Sequence, residues 1–311
     1  MESGLGVTAI LGATQLDAGV AQAAEGEQIQ SKASPWPLRD SQAFEFRSKA
    51  VGDTMAVGVW SSVRPGPAGS DARPVPLELV YVLDGSFALA VAAATCRLLS
   101  ADLVNPGFPP VLLVGLDYPE DRPNARTRDY TMKDSVPEYM GKLLGTGTPQ
   151  TTPGGADRFL AFLESELDPF IRSKYNIKEG PAGIIGDSFG GTFTFYAFLR
   201  QSRLFNRYWL GSPGIFETAT DYVAQFEKCL KGSLVHPAKM FLSSGTKEMA
   251  GGVSFYEELG RSFNRIVSAL RRNPTDDLTW SAKTYDGYTH TSVLMPALND
   301  ALIYLYGKNS A

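Results

Sequence analysis

Gly186-Asp187-Ser188-Phe189-Gly190 sets a serine between two glycines, directly after the apolar run Ala182-Gly183-Ile184-Ile185. A helix-like stretch, Gly190-Gly191-Thr192-Phe193-Thr194-Phe195-Tyr196, follows it. A serine in that context sits on a strand-to-helix turn too tight for flanking side chains, with its hydroxyl exposed. The N–H groups and dipole at the start of the helix favour negative charge developing there. A helix-capping serine would not need glycines on both sides. The chemistry implied is nucleophilic attack by Ser188, and a hydroxyl needs a base for that.

The chain contains two histidines, His236 and His290. His290 lies in Asp286-Gly287-Tyr288-Thr289-His290, after the last apolar run and before the last helix-like segment. That places it on a loop at the carboxyl edge of a sheet, downstream of Ser188, in the order serine, acid, histidine. His236 precedes a strand and falls at the opposite edge. His290 is therefore the expected base. The acid that orients it should follow a strand between Ser188 and His290. Lys239-Met240-Phe241-Leu242-Ser243-Ser244-Gly245 is such a strand, and Glu248 follows it closely. Asp276 and Asp277 precede the last strand, Asp286 is close enough to His290 to shape its turn, and Asp221 lies on a separate excursion. An oxyanion needs two backbone donors. Phe189 N–H is one, and Ser86 N–H, in the turn Leu83-Asp84-Gly85-Ser86-Phe87, is the expected second. Phe87, Phe216 and Tyr288 fall near this edge and are the candidate pocket residues, suited to an apolar or aromatic group.

These residues need a scaffold. Leu77 to Gly85, Pro109 to Tyr118 and Ala182 to Ser188 are short runs apolar on both faces, as in strands buried within a parallel sheet. Helical periodicity alternates with them, most clearly over Asp157 to Tyr175, where Phe159, Phe162, Leu163, Leu167, Phe170 and Ile171 recur at three- and four-residue spacings. Two alternating strands from Phe44, around a turn at Val51 to Asp53, form an antiparallel edge. The fold class is α/β, a mostly parallel central sheet with an antiparallel edge and helices on both faces. Residues 1–40 read as a poorly structured N-terminal extension and 41–311 as a single domain. The polar stretch from Pro119 to Gly155 is long enough to line or cover a site, and Ser212 to Gly232 is a second candidate wall.

Composition narrows the function classes. Asp and Glu number 33 against 29 Lys and Arg, a formal charge of −4, which argues against a nucleic-acid binder. Two cysteines, Cys96 and Cys229, rule out a disulfide scaffold or a multi-Cys zinc site, and two histidines rule out a three-His metal site. No metal or cofactor is expected. No apolar run reaches the ~18 residues of a membrane span. Glu2 is the first charge and Lys32 the first basic residue, so the start lacks the positive region of an export signal. A cytoplasmic location is expected, with export the alternative. The expected partner is a small-molecule ester, and a homodimer is compatible with the sequence.

The order Val80-Tyr81-Val82-Leu83-Asp84-Gly85, then Val111 to Tyr118, then Arg126-Thr127-Arg128-Asp129-Tyr130, then Gly154 to Ile171, then Gly186-Asp187-Ser188-Phe189-Gly190-Gly191, then Gly287-Tyr288-Thr289-His290 resembles the esterase D-like branch of the α/β-hydrolases. That branch includes enterochelin-type siderophore esterases, S-formylglutathione hydrolase, feruloyl esterases and mycolyltransferases. The resemblance spans residues 44–306. It implies the α/β-hydrolase fold, Ser188 as nucleophile, His290 as base and the Ser86 and Phe189 amides as oxyanion hole, and it supports Glu248 as acid less firmly. Asp187 stands where histidine is common in the family. It is expected to point away from the chemistry while adding negative charge beside the elbow. The implied activity is carboxylic-ester hydrolysis through an acyl-enzyme. The alternatives are acyl transfer on the same triad, or hydrolysis of siderophore lactones or thioesters.

Overall fold

A computed structural model describes residues 37–63, 75–120, 125–137 and 152–308. Most of the expected N-terminal extension, and much of the stretch from Pro119 to Gly155, lie outside the described residues. The strands are β1 (Ser41–Arg47), β2 (Thr54–Ser61), β3 (Glu78–Leu83), β4 (Val111–Asp117), β5 (Ala182–Asp187), β6 (Phe205–Gly211), β7 (Ala238–Gly245) and β8 (Leu278–Tyr285). They form one eight-stranded sheet in the order β1-β2-β4-β3-β5-β6-β7-β8. β1 pairs antiparallel with β2, and β2 with β4. All other pairings are parallel. This is the expected mostly parallel sheet with an antiparallel edge.

The described helices are α1 (Gly85–Ser100), α2 (Arg126–Asp129), α3 (Ala156–Phe162), α4 (Asp168–Lys174), α5 (Phe189–Leu199), α6 (Tyr222–Leu230), α7 (Thr246–Ala250), α8 (Ser254–Arg272) and α9 (Leu294–Tyr306). The Asp157 to Tyr175 periodicity is one helical run in sequence. In the structure a π-helical turn, Leu163–Leu167, joins α3 to α4. The apolar positions still face inward across it, with Phe159, Phe162, Leu163, Leu167 and Ile171 all buried. The wider turn rotates one register into the next without breaking the helix.

Burial on both sheet faces explains the continuous apolar runs. On β5, Ile184 joins a core with α3, α5, α6 and α8, while its neighbour Ile185 joins the opposite core with α1 and α9. Alternation along a strand sends consecutive side chains to opposite faces, so a doubly covered strand must be apolar at both. Among the described residues, no helix is long and apolar enough to cross a membrane.

Parallel strands all end at one edge. The turns after β3, β4, β5, β6, β7 and β8 therefore emerge side by side, and the residues singled out for chemistry sit on those turns.

Candidate active site

Ser188 joins β5 to α5 at φ 60° and ψ −122°. That is a strained backbone for a residue with a Cβ, costing on the order of 1–3 kcal/mol. The neighbours hold it there. Ser188 N donates to Gly211 O at 2.9 Å, and Thr192 N donates to Ser188 O at 2.9 Å. Gly186 is required because a Cβ there would lie 2.5 Å from the Gly190 carbonyl carbon. Gly190 supplies the backbone that Gly186 abuts and is itself less confined, its own Cβ meeting Asp84 Oδ2 at 3.2 Å. The turn is thus tight for a reason local to this stretch. The Ser188 hydroxyl forms no hydrogen bond with the described residues.

Glu248 and His290 come together directly. Glu248 is in the first turn of α7, just beyond β7, and is fully buried. His290 Nδ1 lies 3.0 Å from Glu248 Oε2. The other carboxylate oxygen, Oε1, accepts from Gly245 N at 2.7 Å and from Ser212 Oγ at 2.9 Å. A carboxylate accepting at Nδ1 fixes the proton on that nitrogen and leaves Nε2 as the basic one. The two loops are also tied by backbone. Lys247 N donates to Tyr288 O at 3.0 Å, and Gly287 N donates to Thr246 Oγ1 at 2.9 Å. Tyr256, in the first turn of α8, stacks on the His290 ring with centroids 4.7 Å apart and planes inclined by 26°.

The remaining carboxylates have other work. Asp286 accepts from Thr246 Oγ1 at 3.2 Å and shapes the histidine turn. Asp221 caps α6 through Ala224 N at 2.9 Å. Asp277 accepts from Leu234 N. His236 Nε2 contacts Arg203 O at 3.1 Å, far from this group of loops. Cys96 is buried and Cys229 half-buried, and both are free thiols. Burial pushes the Cys96 thiol up to about 12.

Asp187 adds negative charge beside the elbow, and that charge reaches the chemistry. Burial, joined by the charges of Glu248 and Asp84, pushes its carboxyl up to about 7 against the opposing pull of His290 and Arg126. Its Oδ1 is buried without a hydrogen-bond partner among the described residues. His290 feels it in return. Burial disfavours the imidazolium, but the Glu248 hydrogen bond and the Asp187 and Glu248 charges outweigh burial, so its pKa is raised from the ordinary value.

Arg126 is the polar link that sequence reasoning left without a role. Its Nε donates to Asp84 Oδ1 at 2.5 Å, and its Nη2 donates to Asp84 Oδ2 at 3.0 Å and to Asp187 O at 3.3 Å. The guanidinium also lies over the Phe189 ring, 5.4 Å from its centroid. It thereby joins the β3–α1 turn to the elbow. Ser212 and Tyr256 were likewise not singled out by sequence. Only their distance from Glu248 and His290 in space, not along the chain, marks them.

The pocket candidates separate. Phe87 and Tyr288 are 51% and 39% exposed. Phe216 is 3% exposed and packs on Phe255. Of the two expected oxyanion donors, no described residue accepts from Phe189 N–H, whereas Ser86 N donates to Asp117 Oδ2 at 2.7 Å.

Comparison with known proteins follows the same outline. The family model described as "Putative esterase" matches residues 64–258. The ferri-bacillibactin esterase BesA of Bacillus subtilis is 30% identical over 156 residues, which is 50% of this chain and 51% of that protein. The match thus spans about half the length of that relative. A siderophore enterobactin esterase of Emericella nidulans is 24% identical over 301 residues, covering 88% of this chain and 96% of the relative. Among solved structures, an IroE-like serine hydrolase from Shewanella oneidensis superposes with a TM-score of 0.69 at 26% identity, covering 86% of this chain and 80% of that one.

Proposed function

The chain belongs to the "Putative esterase" family, and from that premise we propose that it is a serine hydrolase of carboxylic esters acting through an acyl-enzyme. Ser188 Oγ attacks the ester carbonyl while His290 Nε2 takes its proton. The tetrahedral oxyanion is held by the Phe189 and Ser86 N–H groups. Collapse breaks the bond to the alcohol, and His290 returns the proton to that leaving oxygen. Water then attacks the acyl-enzyme, giving its proton to His290. The second collapse releases the acid, and the proton goes back to Ser188. Glu248 orients the imidazole throughout and stabilises its cation.

The observation that carries the reading is the Glu248–His290 contact at 3.0 Å, with the second carboxylate oxygen already satisfied, on loops that leave the same sheet edge as the strained Ser188. The relatives named for siderophore esters make a siderophore lactone the favoured natural substrate. The test is turnover of a short p-nitrophenyl ester and of a catecholate siderophore lactone. Ser188→Ala should abolish both with the fold intact. Full activity in that variant refutes the mechanism. Turnover of the simple ester alone refutes the substrate class.

A further inference from the structure

The Ser86 N–H assigned to the oxyanion is already occupied. Asp117 Oδ2 accepts from it at 2.7 Å, and Oδ1 accepts from Tyr118 N at 2.8 Å. The placement follows from the sheet. Asp117 is the last residue of β4, which runs parallel to β3 with Leu83 opposite Leu116. The β3–α1 turn and Asp117 therefore leave the sheet abreast, at the same edge. Gly85 lets them come close, since a Cβ there would lie 2.8 Å from the Gly115 carbonyl carbon and from Leu116 N.

Helix physics explains why an acceptor is wanted there. Ser86 is in the first turn of α1, where N–H groups have no intrahelical acceptor. Asp84 holds the N-cap position, but its side chain makes no cap hydrogen bond. Its carboxylate is held by Arg126 instead. A carboxylate from the neighbouring strand takes over. What it offers, a negative oxygen at 2.7 Å, is also what a tetrahedral oxyanion offers to such a donor. The other donor, Phe189 N–H, has no acceptor among the described residues.

We propose that Asp117 is an internal occupant of the oxyanion site, holding the Ser86 donor in the free protein and giving it up as the ester carbonyl enters. This rests on Ser188 being the nucleophile. Two costs follow for an incoming ester. Its carbonyl must displace a charged hydrogen bond, which is stronger than a neutral one. The oxyanion then forms beside a carboxylate of like sign. Asp117 is only half-buried and Ser86 is exposed, so the side chain has solvent to turn into. The chain is therefore restrained by its own strand end, and removing the carboxylate should speed it.

The experiment compares Asp117→Asn and Asp117→Ala with wild type on p-nitrophenyl acetate. Both variants should raise kcat/KM, Asn by about fivefold, the difference between a charged and a neutral hydrogen bond, and Ala by more, since it leaves no side-chain acceptor. A residue that merely caps α1 would lower stability and activity together and could not raise kcat/KM. Unchanged or lower kcat/KM in both variants, at wild-type melting temperature, overturns the proposal. A second measurement uses the wild-type chain alone, crystallised after inactivation by diethyl p-nitrophenyl phosphate. A phosphoryl oxygen should sit on Ser86 N, with Asp117 turned away. Asp117 still bonded to Ser86 in that adduct overturns the proposal. Failure of the reagent to label Ser188 is a different result, because it removes the nucleophile assignment and the present inference with it.

Discussion

Glu248 and Asp187 are two carboxylates buried at one sheet edge, and the protein treats them oppositely. Glu248 has a partner for each oxygen, with Gly245 N and Ser212 Oγ on Oε1 and His290 Nδ1 on Oε2. Asp187 has an Oδ1 with no hydrogen-bond partner among the described residues, and burial lifts its carboxyl to about 7. Burial alone therefore does not set what a carboxylate does. A buried acceptor that is fully met orients its neighbour, whereas one that is unmet stores an unfavourable charge. The fold places the satisfied carboxylate at the histidine and the unsatisfied one next to the serine.

The largest test of this contrast removes the satisfied carboxylate. Glu248→Ala should lower kcat on the order of 10²–10⁴-fold, less than His290→Ala, because the imidazole loses its fixed orientation but is still present as a base. It should also move the acid limb of the kcat/KM profile to lower pH. Glu248 raises the His290 pKa, and the base works only when neutral. Wild-type kcat in Glu248→Ala would place the orienting acid elsewhere.

Asp187→Asn comes next and should act mainly on stability. The folded pKa of Asp187 is raised from 3.8 to about 7, so the favourable contribution of its neutral form is complete below pH 3.8 and is lost as pH rises through about 7. The loss is on the order of a few kcal/mol, since each unit of pKa difference is worth about 1.4 kcal/mol. Thermal melts of wild type should fall across that range, and those of Asp187→Asn should not. Parallel curves would show that the orphan oxygen finds a partner in solution.

Ser212→Ala removes one of the three donors to Glu248 and should destabilise the fold by about 1–2 kcal/mol, the cost of leaving a buried acceptor short. Ser212 also holds a positive φ of 38°, so its backbone is committed to this contact. The variant should lower kcat with little change in KM. An unchanged kcat would mean that Gly245 and His290 suffice to hold the carboxylate.

Tyr256→Leu should give the smallest effect. Stacking between rings is worth about 0.5–1.5 kcal/mol beyond the area it buries. A kcat loss of less than about tenfold follows from that energy. A larger loss would give the tyrosine hydroxyl a part in the reaction.

Much of the fold was legible because its signals are local. The runs around Val80, Leu113 and Ile184 are apolar on both faces, which only a doubly covered strand requires. The strand-to-helix turn at Ser188 was legible for the same reason, since glycines and strand-then-helix patterning lie within a few residues of it. His290 followed from chain order and Glu248 from its place after a strand. The interruption at Leu163–Leu167 was not legible, because the apolar residues at its two ends are four apart, as in an ordinary helix. The burial of Phe216 was not legible, because an aromatic near an edge in sequence can turn inward to the core. The pairing of Asp117 with Ser86 was hidden because it joins a strand end to a helix start 31 residues away.

The chain on its own determined which elements form, where the elbow falls and which residue types stand at the strand ends, because each depends on neighbours within a turn or two. Only the tertiary structure decided which of those residues meet. Sheet order puts β6, β7 and β8 side by side, so Ser212, Glu248 and His290 converge from separations of 36 and 42 residues. The same packing buried Asp187 without a partner and set a carboxylate on Ser86. Hydrogen-bond partners and local dielectric are properties of what surrounds a group in space, and no spacing along the chain specifies them.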